Sequence, residues 1–130
     1  MIDGKNIIGI GFDMAEVSRI ESVLSRWGDR FEKRVFTEHE IAYCRCKKNC
    51  FQGLACRFAA KEAVFKALGT GWQNGVGWKD IEVTNDHLGK PYITLSGQTE
   101  QLSRQLGVRS IFVSMTNTKD YGAAQVILTS

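Results

Sequence analysis

The chain has a single proline, Pro91, and no Gly/Ser-rich stretch, so nothing in it reads as a linker between domains. No apolar run approaches the roughly 20 residues that span a bilayer. The N-terminus lacks a basic segment followed by an apolar one, so no signal peptide is expected. Histidine is scarce, with only His39 and His87. The four cysteines (Cys44, Cys46, Cys50, Cys56) are spaced C-x-C-x3-C-x5-C, which matches none of the usual zinc patterns. They are expected to be small core residues, kept reduced in the cytosol. Charge of one sign is also lacking. Lysine and arginine exceed the acids by 17 to 14, a net charge of +3, which is no signature of a nucleic-acid binder.

What is present fits one globular domain. The length of 130 residues suits a single core, and 43% apolar residues suffice to build it. Residues 5–12 form an apolar run of strand length. Asp13 follows and, with Glu16 three residues on, reads as the cap of a helix. Val17, Ile20, Leu24 and Trp27 recur at helical spacing and should face the core, with Arg19, Val23, Arg26 and Arg30 on the other side. Thr37-Glu38-His39-Glu40 is a capping box that opens a second helix, to about residue 47. A third, alanine-rich helix should run from about residue 51 to 68 and stop at Gly69. Strands are expected at 79–84 and 91–95, joined by a turn at 85–90, then a helix at 99–106. A closing hairpin is expected at 110–116 and 123–128. Helices and hairpins clustered without βαβ alternation predict an α+β fold with a mainly antiparallel sheet.

Few positions suggest chemistry. Asp13, at a strand end, has two readings. It is a plain helix cap, or it holds a metal beside backbone N–H groups that face a phosphate. Glu62 lies within the third helix, with Phe58 and Lys66 one turn to either side. It is a surface partner of Lys66, or a carboxylate in a closely packed helix that needs a metal or a cation. From Arg45 to Lys66 there are six basic residues (Arg45, Lys47, Lys48, Arg57, Lys61, Lys66) against one acid. They read as a solvated helix face, or as a surface for phosphates or an acidic partner. No aromatic platform for nucleic acid interleaves them. The glycines of Gly69-Thr70-Gly71 follow a helix C-terminus, where the dipole disfavours anions, so a lysine would have to supply positive charge there.

Several segments together carry a resemblance. They are Gly9-Ile-Gly11-Phe-Asp13 with Arg19-Ile20, then Phe36-Thr37-Glu38-His39-Glu40 with Tyr43-Cys44. Next come Leu54-Ala55-Cys56-Arg57-Phe58-Ala59-Ala60-Lys61-Glu62-Ala63 and Lys66-Ala67-Leu68-Gly69-Thr70-Gly71. Trp78-Lys79-Asp80-Ile81-Glu82-Val83, Gly89-Lys90-Pro91 and Val113-Ser114-Met115-Thr116 with Tyr121 complete the set. In this order, over nearly the whole chain, they resemble the holo-[acyl-carrier-protein] synthase family of phosphopantetheinyl transferases.

The resemblance implies an enzyme of fatty acid biosynthesis that moves 4'-phosphopantetheine from coenzyme A to a serine of acyl carrier protein. It implies that Asp13 and Glu62 hold Mg2+, an ion that favours one or two carboxylates plus waters and phosphate oxygens. Lys66 matches the family's active-site lysine, to neutralise phosphate or to move a proton. Arg57, Lys66, Gly69, Thr70, Gly71, Gly89, Lys90 and Pro91 match segments around coenzyme A. Arg19, Val23 and Arg26 match the helix that docks the acidic carrier. A homotrimer is implied as well, with no nucleic-acid or membrane partner. One position departs: Asn117 stands where the family has histidine near coenzyme A. Asn cannot carry a proton or a positive charge. A degenerate relative that binds without transfer is therefore the competing reading.

Overall fold

The computed structural model describes residues 6–69 and 77–130. The order is β1 (Ile7–Glu16), α1 (Val17–Trp27), α2 (Asp29–Val35), α3 (Glu38–Arg45) and α4 (Cys50–Leu68). A 3-10 turn (Trp78–Asp80), β2 (Ile81–Asn85), β3 (Pro91–Leu95), α5 (Gly97–Gln105), β4 (Ser110–Asn117) and β5 (Tyr121–Thr129) follow. β1, β5 and β4 form an antiparallel sheet in that spatial order, and β2 pairs with β3 in a separate antiparallel hairpin. The expected α+β fold is observed.

α4 is the centre of the molecule. It packs on β1 and β5 and also touches β4, α3, α1 and β2. That explains why its apolar residues show no single stripe: a helix covered on all sides is apolar all round. Its small row, Ala55, Ala59 and Ala63, is fully buried and lets the sheet come close. A Cβ placed on Gly11 would lie 1.8 Å from the Ala63 carbonyl oxygen, and one on Gly9 would lie 2.0 Å from that of Ala67. Gly122 on β5 meets the backbone of Ala55 and Cys56 in the same way. Only a bare backbone fits these three positions. At its far end α4 stops at Gly69, in the left-handed region at φ 79°, whose N–H bonds the Phe65 and Lys66 carbonyls.

Several expectations are corrected. Asp13 caps no helix. β1 continues through it to Glu16, held by pairing Asp13↔Ala124 and Glu16↔Tyr121 with β5, and α1 begins at Val17 without a side-chain cap. The strand ladder outweighs the local capping pattern. Trp27 is 54% exposed, because α1 ends there and the chain turns at Gly28 into α2, a helix that was not expected. The basic stretch is not a solvated face throughout. Arg57 and Lys61 are 3% and 0% exposed, since the hairpin β2–β3 and α3 cover that side of α4. Among the cysteines, Cys44 and Cys56 are buried, but Cys46 is exposed. The capping box at Thr37 and Glu40 forms as expected, with both reciprocal bonds present.

Alternation along β1 decides what faces what. Gly11, Asp13 and Ala15 point to α4, while Ile10, Phe12 and Met14 point away and are 55%, 54% and 52% exposed. Register with β5 and β4 puts Ile127 and Phe112 on that same outer face.

Candidate active site

Asp13 is set in place by the sheet ladder, and its side chain turns toward the second half of α4. There Lys66 Nζ donates to Asp13 Oδ1 at 2.8 Å and to the Phe12 carbonyl at 3.1 Å. Glu62 sits one helical turn before Lys66 and is half-buried. Its carboxyl is pushed above the ordinary glutamate range, first by burial and then by the charge of Asp13, with Lys66 pulling the other way. Two carboxylates from different elements therefore share one small region. The bond to Asp13 is the largest influence on the Lys66 ammonium and holds its pKa above the ordinary lysine range. A paired carboxylate set beside a cation is suited to a hard divalent ion and a phosphate. Among the described residues no group of three or more His, Cys, Asp or Glu could hold a metal. A two-carboxylate donor set fits Mg2+, which keeps most of its shell for water and phosphate.

Along the same helix, toward its N-terminus, lies a cleft of about 310 Å³. Its lining includes Tyr43, Lys47, Arg57, Asn85, Gly89, Pro91 and Asn117. Arg57 is the anchor. Its Nη2 donates to Asn85 Oδ1 and its Nη1 to the Gly53 carbonyl at 3.3 Å. Arg57 Nε is buried with no hydrogen-bond partner among the described residues. Two cations approach the Tyr43 ring, the Arg57 guanidinium at 4.7 Å and the Lys47 ammonium at 4.9 Å from its centroid. Asn85 Nδ2 donates to the Gly89 carbonyl at 3.0 Å and so shapes the turn. Asn117, paired with Gly122 at the end of β4, adds a neutral amide. The cleft's charged lining is thus cationic only, as an anionic ligand requires. Arg57 and Glu62 are five residues apart, about 7.5 Å along the helix axis.

The expected site residues fall into groups. Asp13, Glu62 and Lys66 meet at one end of α4. Arg57, Gly89, Pro91 and Asn117 meet around the cleft. Lys90 lies outside the cleft lining, with its ammonium 5.5 Å from the Tyr92 ring. Gly69 ends α4 beyond Lys66, and Thr70 and Gly71 lie outside the described residues. Arg19 and Arg26 are exposed on α1 and Val23 is half-buried. Val23 also lines a groove of about 580 Å³ with Trp27, Arg30, Phe31 and Arg34. Sequence reasoning missed Lys47 and Asn85 as cleft residues. The i,i+4 spacing of Tyr43 and Lys47 carried a signal. Nothing local marked Asn85, which reaches Arg57 only through the tertiary fold.

Fold and site together define a small α+β protein that sets a carboxylate pair and a lysine beside a cationic cleft, the equipment for handling a phosphorylated ligand. The chain belongs to the 4'-phosphopantetheinyl transferase superfamily, whose family model matches residues 9–126. It is 50% identical to the holo-[acyl-carrier-protein] synthase of Solibacter usitatus over 122 residues, covering 94% of this chain and 98% of that one. Among solved structures it resembles the holo-[acyl-carrier-protein] synthase of Neisseria meningitidis at TM-score 0.86 and 32% identity, over 95% of this chain and 98% of that one. It also resembles the Bacillus anthracis holo-(acyl-carrier-protein) synthase, a structure in complex with CoA (3',5'-ADP). That match has TM-score 0.79 and 37% identity, over 95% and 97% of the two chains.

Proposed function

We propose that this chain is a holo-[acyl-carrier-protein] synthase that transfers 4'-phosphopantetheine from coenzyme A to a serine of an apo acyl carrier protein, as part of fatty acid biosynthesis. The observation that carries the reading is the meeting of Asp13, Glu62 and Lys66 at one end of α4, with the cationic cleft beside it along the same helix. In the reaction, the serine oxygen bonds to the phosphorus that carries the pantetheine arm. The P–O bond from that phosphorus to 3',5'-ADP breaks, its electron pair leaving with the 3',5'-ADP oxygen, and the serine proton is released to water.

Asp13 and Glu62 are the residues that would hold Mg2+, which would offset negative charge on the phosphates and on the leaving 3',5'-ADP. Lys66, with its raised pKa, acts as a standing cation toward phosphate rather than as the base for the serine. Arg57, Lys47, Asn85, Asn117 and the Gly89-Lys90-Pro91 turn hold the nucleotide end. The family resemblance also gives Gly69, Thr70 and Gly71, which follow Lys66 in sequence, a part in binding coenzyme A. Arg19, Val23 and Arg26, with the apolar groove at Trp27 and Phe31 and its arginine rim, form the docking face for an acidic carrier.

Residues 1–130 form one transferase domain, which works as a homotrimer. The bare outer face of the β1–β5–β4 sheet supports assembly, since Ile10, Phe12, Met14 and Phe112 are each more than half exposed there. No helix among the described residues is long and apolar enough to cross a membrane, and the free thiols suit the reducing cytosol.

The test is transfer itself. Purified chain, coenzyme A, Mg2+ and an apo carrier are incubated, and the carrier is followed by intact mass. Gain of one phosphopantetheine arm is expected. Asn117 favours one second reading, a relative that binds coenzyme A without transfer. It predicts binding with an unmodified carrier, and transfer gained by Asn117→His.

A further inference from the structure

A fully hydrogen-bonded polar cluster lies outside the site just described. Lys61 and Glu40 are both fully buried and form an ion pair at 2.8 Å. Lys61 Nζ also donates to the Trp78 carbonyl at 3.0 Å and to the Ile81 carbonyl. All three of its N–H groups are therefore used. Glu40 Oε1 accepts the Thr37 N–H at 2.9 Å, and Glu40 Oε2 accepts the Val83 N–H at 2.8 Å. Thr37 Oγ1 donates to Glu82 Oε2 at 2.6 Å. One carboxylate thus caps α3, pairs with α4 and holds the middle of β2.

The hairpin β2–β3 is not hydrogen-bonded into the main sheet. It carries Asn85 and Gly89 into the cleft. Two residues one turn apart on α4 hold it: Lys61 takes the Ile81 end of β2, and Arg57 takes Asn85 at the other end. A buried pair contributes little net stability compared with apolar packing, but it fixes geometry wherever it forms, because breaking it leaves charge buried.

We propose that Lys61 and Glu40 are positioning residues for the cleft: their buried network clamps β2 on α4 and so sets Asn85 and the Gly89 turn at the distance from Arg57 that the nucleotide end of the substrate requires. This rests on reading the cleft as the coenzyme A nucleotide site. Neither residue lines the cleft, so both act through β2.

Two experiments test it. The first replaces the pair by neutral side chains of similar length, Lys61→Met with Glu40→Gln, which removes both charges at once. The expected result is a rise of at least fivefold in KM for coenzyme A with kcat within twofold. A folded double variant with unchanged KM would overturn the clamp, as would one that loses kcat at unchanged KM. The second uses the unaltered chain, so it stands even if that variant fails to fold. Backbone amide exchange at Val83 is measured with and without 3',5'-ADP, and binding is expected to slow it several-fold. Normal 3',5'-ADP binding with unchanged exchange at Val83 would sink the clamp alone. No 3',5'-ADP binding at all would sink the cleft assignment and this inference with it.

Discussion

Gly11→Ala probes the joint between fold and site. The added Cβ would lie 1.8 Å from the Ala63 carbonyl oxygen and 2.7 Å from its carbon. Both are backbone atoms of a buried helix, so no side chain can swing aside. To reach ordinary van der Waals contact, β1 or α4 must retreat by roughly 1.5 Å. Overpacking of this kind costs about 3 kcal/mol or more, a fall of roughly 10 °C in melting temperature for a domain of this size. The same retreat moves the proposed metal pair apart, because Asp13 lies two residues after Gly11 and Glu62 lies one before Ala63. Transfer should therefore fall at least tenfold under conditions where the variant is still folded. Gly107→Ala, away from the site, is the control. Its Cβ would meet only Ile8 Cδ1 at an ordinary 3.9 Å, at φ 86°, and the substitution should cost only about 1–2 kcal/mol of backbone strain. Thermal unfolding by circular dichroism and transfer at 20 °C read both effects. A Gly11→Ala protein that melts within a degree of the parent and transfers normally would refute the close approach of β1 to α4.

Other outcomes follow from the same structure. Arg19→Glu should raise KM for the carrier several-fold, more so at low salt, and leave KM for coenzyme A unchanged; steady-state kinetics with each substrate varied will show whether the two separate. Glu62→Gln should abolish metal-dependent transfer yet raise the melting temperature of the metal-free protein at neutral pH. The folded carboxyl has a raised pKa, so stability is lost as pH climbs through and beyond the ordinary glutamate range, and a neutral amide removes that loss. The advantage should vanish in acid, which melting curves at several pH values can check. Cys44, buried beside Arg57, has its thiol pushed up to about 11 from 9.0. Its contribution to stability is complete below pH 9 and lost toward pH 11, by on the order of 2 kcal/mol, and Cys44→Ala should remove that alkaline slope. In native protein at pH 8, Cys46 should be alkylated well before Cys44 and Cys56, as peptide mass mapping would reveal.

Local signals in the sequence were strong where the physics is local. The Thr37–Glu40 capping box, the stop at Gly69 and the β3 limits from Pro91 to Leu95 could all be read from neighbours a few residues apart. Asp13 misled for the same reason: its capping pattern is real, but nine paired positions with β5 hold it in a strand. α2 was hidden because it is seven residues long and mostly charged, with a single buried side chain, Val35. Lys61 looked like surface charge because helical spacing cannot tell that α3 and a hairpin cover that side. In the site, Glu62 and Lys66 were legible as neighbours on one helix face. That Asp13 would meet them, and that Asn85 would meet Arg57, depends on sheet register and on the hairpin's seat, which no spacing rule contains.

The central claim is that Asp13 and Glu62 form the metal pair of a phosphopantetheinyl transfer site. The most direct measurement is the transfer rate onto an apo carrier against Mg2+ concentration, for the parent chain, Asp13→Asn and Glu62→Gln, with 3',5'-ADP binding measured alongside. The account predicts that the parent chain requires the ion and that each variant loses at least a hundredfold in rate. Both variants should still bind 3',5'-ADP through Arg57 and the cleft. Transfer by Glu62→Gln at the parent rate, or by the parent chain after complete chelation of divalent ions, would contradict it.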